Sequence, residues 1–152
     1  MQTKINADMA VGIPGEFATT RPRYAYAVET SAAVTFGEPV IFDSTTLGAN
    51  KMGRVKPATG ATCDGVAASP HQHVQNALPS SEASLTVPAG TVISIVERGE
   101  IFIKIPAEVA TVTEGGKLYV ASGKWAATGT TAVGTILKSG VAGDVIPVRM
   151  GF

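Results

Sequence analysis

Few residues in this chain could do chemistry, and their spacing limits what that chemistry could be. His71-Gln72-His73 is the only histidine pair. On an extended segment, i, i+2 spacing turns both rings to one side, as a metal site would need. Zinc requires one or two further ligands, and Cys63 and Asp64 are the nearest candidates; no second ligand pair stands at a diagnostic spacing. The histidines therefore read as part of a solvated loop. Cys63 with His71 or His73 is the available nucleophile and base. The cysteine, however, opens the small-residue stretch Cys63-Asp64-Gly65-Val66-Ala67-Ala68, which reads as a buried strand, where a thiol is inert.

Gly115-Gly116-Lys117 and Gly123-Lys124 lack the spacing of a phosphate loop and its following Ser or Thr. Neither opens a helix, so both read as hairpin turns. Glu97, Glu100, Glu108 and Glu114 interleave with strand residues as solvent-facing charges do, and form no carboxylate pair suited to hydrolysis. Trp125 and Tyr119 are candidates for a sugar-stacking platform. With aromatics at 6% of the chain, a place in the core or an interface is the stronger reading. No catalytic residue, cofactor or metal is expected.

The elements that must position these residues are short strands. The 152 residues fit one domain, large enough to bury its own core. Charged residues make up 16%, against roughly 25% in an ordinary soluble domain. Twelve basic and twelve acidic side chains give a formal net charge of zero, so little long-range field keeps copies apart. Nor is there the basic footprint of a nucleic-acid binder. One cysteine excludes an intrachain disulfide and fits production in a reducing cytoplasm. Met1 to Asp8 carry no apolar h-region, so no secretory signal is expected, and no apolar run reaches the roughly 20 residues of a membrane helix.

Residues 1–30 are expected to be an extended N-terminal arm, because Gly12, Pro14, Gly15 and Pro22 interrupt any sustained period. They carry Phe17, Arg21, Arg23, Tyr24 and Tyr26, residue types enriched at interfaces. Two readings fit: an arm that grips a neighbour, and a terminus whose aromatics cover the barrel's own end. Residues 31–152 then hold the β-domain. Gly37 and Pro39 mark entry into a strand through Asp43, Arg54 to Pro57 is a short strand or edge, and small residues at Thr62 to Ala68 predict close backbone approach. Residues 69–83 have no periodicity and read as a long loop. Ser122-Gly123-Lys124 predicts a tight hairpin, and Pro106 to Thr113 is the best helix candidate, at most one or two turns.

The order of these motifs carries a resemblance. Gly37-Glu38-Pro39-Val40, Gly65-Val66-Ala67 and the apolar run Val92 to Ile105 come first. Gly115 to Val120, Val133 to Leu137 and Gly143 to Arg149 follow. Over roughly residues 35 to 150 the chain resembles the small β-barrel capsid decoration, or structural cement, proteins of tailed bacteriophages. More loosely, it is similar to the head decoration protein of phage lambda. The resemblance implies an all-β, single-domain, β-tulip-like barrel or sandwich of about eight to ten strands. It also implies a non-enzymatic protein of the outer capsid surface, made in the host cytoplasm, that bridges major capsid subunits of the expanded head. The implied partners are the major capsid protein and further copies of itself, a trimer being favoured, with no nucleic acid and no membrane. Phe17, Arg21, Arg23, Tyr24 and Tyr26 are the expected capsid contacts. The alternative is a carbohydrate-binding or host-adhesion module using Trp125, Tyr119 or residues 69–83.

Overall fold

The computed structural model describes residues 14–18, 23–47, 53–68 and 86–151. These form β1 (Tyr24–Thr30), β2 (Val34–Thr35), β3 (Pro39–Leu47), β4 (Gly53–Pro57), β5 (Gly65–Ala68), β6 (Thr86–Val87) and β7 (Val92–Lys104). After these come β8 (Thr111–Val112), β9 (Lys117–Ala121), β10 (Lys124–Ala126), β11 (Ala132–Ile136), β12 (Gly140–Val141) and β13 (Val145–Met150). The fold is all-β among the described residues. Nine strands make one sheet in the order β1-β4-β3-β5-β7-β13-β11-β9-β10, while β2 with β6 and β8 with β12 form separate ribbons.

β1 also pairs with β7, so β1, β4, β3, β5 and β7 close into a five-stranded barrel. Closure satisfies backbone groups that an open edge would leave unpaired. The rest of the sheet continues from the second half of β7. This 13-residue strand, about 44 Å long at 3.4 Å per residue, belongs to both parts. Its first half pairs with β1 and β5, and Gly99 to Lys104 pairs with β13.

One strand can serve two cores because it changes phase. Ile93 and Ile95 point into the barrel with Val28, Val40, Val55 and Ala67. Val96 faces the second core, as do Ile101 and Ile103 further along. Strict alternation cannot put 96 and 101 on one face. The register of β1 slips at that point, Tyr24 opposing Arg98 and Ala25 opposing Val96, which leaves Glu97 as the extra residue of a β-bulge.

β5 lies between β3 and β7 with all four residues buried. A Cβ at Gly65 would stand 2.8 Å from the Val96 carbonyl oxygen, which is the close approach its small residues foretell. The hairpin from β9 to β10 turns at Ser122 (φ 49) and Gly123 (φ 75), the positive-φ pair of a type I′ turn. Pro106 to Thr113 forms no helix. A turn from the Pro106 carbonyl to the Val109 amide leads into β8, in keeping with its β-branched residues.

Two segments of residues 1–30 are described, and both hydrogen-bond to β7. Residues 14–18 run along its second half: Gly15 N–H donates to the Phe102 carbonyl (2.8 Å), Phe102 N–H to Glu16 (2.8 Å) and Ala18 N–H to Glu100 (2.9 Å). Tyr24–Thr30 is a full barrel strand, beginning just past Pro22, with Tyr26, Val28 and Thr30 on its inner face. The loop read at 69–83, including His71 and His73, lies outside the described residues.

Candidate functional site

The candidate contact residues gather where β1 leaves the barrel. Phe17 is half-buried, bridges to Ile101 and packs against the second core. The Arg23 guanidinium carbon sits 3.7 Å from the centre of the Phe17 ring. Such stacking holds a flexible cation in place while leaving it wet. Next along the chain, Tyr24 is 59% exposed, and its ring meets Tyr26 edge-on with centroids 6.0 Å apart. Tyr26 in turn stacks on Phe42 of β3 at 6.1 Å with planes 6° apart.

Tyr26 donates its hydroxyl hydrogen to Glu97 Oε1 at 2.8 Å, so the bulge residue aims its carboxylate at the ring's polar end. Burial, reinforced by the hydrogen bond and charge of Glu97, pushes the Tyr26 phenol well above its ordinary value. The phenol stays protonated and keeps donating through the neutral range. Two separate groups result, Arg23 on Phe17 and the ring series Tyr24, Tyr26 and Phe42, in which each ring is held by another group. Arg21 lies outside the described residues. Sequence reasoning missed Phe42 and Glu97, because their proximity to Tyr26 depends on barrel closure and on the bulge.

The other candidates take structural positions. Trp125 is 4% exposed and donates its indole N–H to the Gly37 carbonyl at 2.8 Å, a bond from the β9–β10 hairpin to the barrel. It presents no face to a sugar. Cys63 is half-buried, and burial, then the neighbouring Asp64 charge, push its thiol up to about 11. That thiol is neutral at physiological pH. Glu100, expected as a solvent-facing charge, is buried instead: it lies opposite Arg149 on β13, which donates from Nε (3.1 Å) and a terminal nitrogen (2.8 Å) to Oε1. Pairing with a cation across the sheet is what permits that carboxylate to be covered.

A cleft of about 420 Å³ opens between residues 35–39, 104–108 and 123–125, and Lys124 bridges to Glu108 at 2.9 Å beside it. The Lys124 ammonium holds the Glu108 carboxyl below its usual range. No group of three His, Cys, Asp or Glu side chains suited to a metal occurs among the described residues. No helix among them is long and apolar enough to cross a membrane.

Comparison with known proteins decides the family. The family model for the phage structural cement proteins (E217 gp24/Pam3 gp6) matches residues 1–151. The chain belongs to this family. Cement proteins are structural components of the virion, and the role of this one is to stabilise the capsid as a decoration protein. Solved structures agree on the fold. A chain from the capsid of the Myoviridae phage XM1 superposes with a TM-score of 0.63 at 14% identity, covering 99% of this chain and 97% of that one. The N base of head fiber gp8.5 from bacteriophage phi29 superposes with a TM-score of 0.55 at 12% identity, covering 86% of this chain and 95% of that one. No curated protein sequence matches. The cement family is structural, not enzymatic, and nothing in the fold or the comparisons supports the adhesion alternative.

Proposed function

We propose that this cement protein binds the outer surface of the expanded phage head and bridges neighbouring major capsid subunits, without catalysing a reaction. The family match over residues 1–151 carries this reading. The XM1 chain, drawn from a capsid, supports it. A shell under internal DNA pressure fails at its subunit seams. A clamp that binds only the intact seam stabilises it by mass action, and two points of attachment add avidity. Such work needs exposed anchors on a rigid body. Exposed Arg23, held on Phe17, and exposed Tyr24, held on Tyr26, offer them on a closed barrel.

The chain's zero net charge argues against nucleic acid as the partner. Self-association as a trimer at local threefold positions is the arrangement the family resemblance implies. Both features are part of the proposal.

Co-sedimentation of the purified protein with expanded, undecorated heads across a concentration series tests it. Saturation at a fixed ratio to the major capsid protein is the expected result, and the ratio reads out the site symmetry. Absence of binding to well-formed heads refutes the proposal. Deleting all of residues 1–30 is unsuitable for locating the contact, since it removes β1 and opens the barrel. Tyr24→Ala, at an exposed position, is the suitable variant.

A further inference from the structure

One end of the barrel collects aromatic rings and carboxylates with no cation to match them among the described residues. β1, β4 and β5 begin at this end, and β3 and the first half of β7 run antiparallel down to it. Tyr26 and Phe42 extend the inner-face rows of Val28 and Val40, and their rings stack with planes 6° apart. Tyr24 meets Tyr26 edge-on and is 59% exposed, and Phe42 is 39% exposed. Two acids border these rings. Glu97 accepts the Tyr26 hydroxyl through Oε1 at 2.8 Å. Asp64, exposed just ahead of β5, accepts the Phe42 amide through Oδ2 at 2.7 Å. The second oxygen of each carboxylate accepts no hydrogen bond among the described residues.

The described cations nearest this end are engaged elsewhere. Arg54 and Lys56 alternate with buried Val55, which turns them out of the barrel, where they pair with Glu29 and Asp43. Arg98 alternates with Glu97 to the opposite face, where a Cβ at Gly151 would stand 2.7 Å from its Cγ. Arg23 lies on the Phe17 ring. In accord with this, the Tyr26 phenol feels the negative charges of Glu97 and Asp64 and that of no cation among the described residues.

We infer that this barrel end takes an arginine side chain of the capsid shell protein, with the Tyr24–Tyr26–Phe42 rings as its stacking surface and Glu97 and Asp64 as its counter-charges. The inference rests on the shell-docking reading and names the chemistry of the partner. Charge complementarity selects the sign. Carboxylates without a paired cation, beside ring faces that are themselves electronegative, favour a positive group and repel an acidic one. A guanidinium suits the place better than an ammonium, because it is planar and weakly hydrated. It stacks on a ring while its in-plane N–H donors reach acceptors at the edge. Tyr26, fixed by Glu97 at its hydroxyl and by Phe42 on its face, keeps the surface in place before the partner arrives.

The test measures binding to expanded, undecorated heads by co-sedimentation at ionic strengths from about 50 to 500 mM, where screening changes several-fold. The proteins compared are wild type, Glu97→Gln, Asp64→Ser, Tyr24→Leu and, as a control at an exposed acid in the turn before β9, Glu114→Gln. Glu97→Gln keeps an oxygen for the Tyr26 hydroxyl, and Tyr24→Leu keeps apolar area but no ring face. Each of the three should weaken binding on the order of tenfold. The two charge removals should also flatten the fall of affinity with salt, while Glu114→Gln changes neither. Blocking head arginines with phenylglyoxal should lower wild-type affinity to that of the variants, and acetylating head lysines should not. That arm does not depend on variant folding, which far-UV circular dichroism monitors separately. If wild type binds and the three variants match it at every salt concentration, the inference is wrong while shell docking stands. Loss of binding on lysine acetylation but not on arginine blocking overturns the guanidinium assignment. If wild type does not bind at all, both readings fail.

Discussion

Replacing Trp125 by Phe should separate the two parts of the fold energetically without removing an aromatic ring. The indole N–H is the only donor that phenylalanine lacks, and it reaches the buried Gly37 carbonyl at 2.8 Å. Stranding that acceptor costs about 1–3 kcal/mol. The smaller ring leaves a partial void beside Ile103, Ile105 and Leu118, adding about 1 kcal/mol if the core does not collapse around it. The sum, about 2–4 kcal/mol, lies below the 5–15 kcal/mol of an ordinary domain, so the variant should remain folded at 25 °C. For a chain of this size each kcal/mol moves the melting midpoint by about 2–4 °C, which gives a fall of about 5–15 °C. Far-UV circular dichroism measures it. As the sole tryptophan, Trp125 should give the wild type a blue-shifted emission that moves to the red on unfolding. A midpoint lowered by less than about 2 °C, or a red-shifted native emission, would show that the indole is solvated and that this bond does not join the hairpin to the barrel.

Other perturbations probe the shared strand and the charges. Gly65→Ala places a methyl group against the Val96 carbonyl and should destabilise by about 1–3 kcal/mol; an unchanged denaturant midpoint would show that β5 shifts freely. Glu100→Gln keeps the shape but removes the charge that Arg149 neutralises, costing about 1–2 kcal/mol in urea unfolding, a modest figure because Arg149 is half-exposed. Stability should also fall at alkaline pH. Cys63 titrates near 9 when unfolded and at about 11 when folded, so its contribution is intact below pH 9 and is lost as pH rises to 11. Tyr26, raised from 10.0, acts in the same direction above that value, and Tyr26→Phe should flatten the decline. A stability profile that is level from pH 9 to 11 would contradict both burials. In the folded state Cys63 should react with a thiol reagent at pH 8 far more slowly than in urea, and equal rates would place it in solvent.

Local signals in the chain determined the class of fold and most of its pieces. Period-two apolar runs, glycine punctuation and a Ser-Gly turn act over a few residues. For that reason β5, β7, β9, β10 and β13 are legible from their own residues, as is the absence of a lengthy helix. The β9–β10 hairpin is legible for the same reason, since its turn geometry is set by two adjacent residues. What only the tertiary structure decided is which distant strands meet. The pairing of β1 with β7 spans about 70 residues and turned the last seven residues of the expected arm into a barrel wall. The bulge at Glu97 shows no local mark, because a bulge is defined by the strand opposite it. It decides that Val96 and Ile101 share a core, that Glu97 meets Tyr26, and that Arg98 stands across from Tyr24. The burial of Glu100 likewise follows from its register with Arg149, 49 residues away. Side-chain type announces what a residue can do. Register across strands distant in sequence, set by the packing of two cores on one long strand, decides which residues do it together.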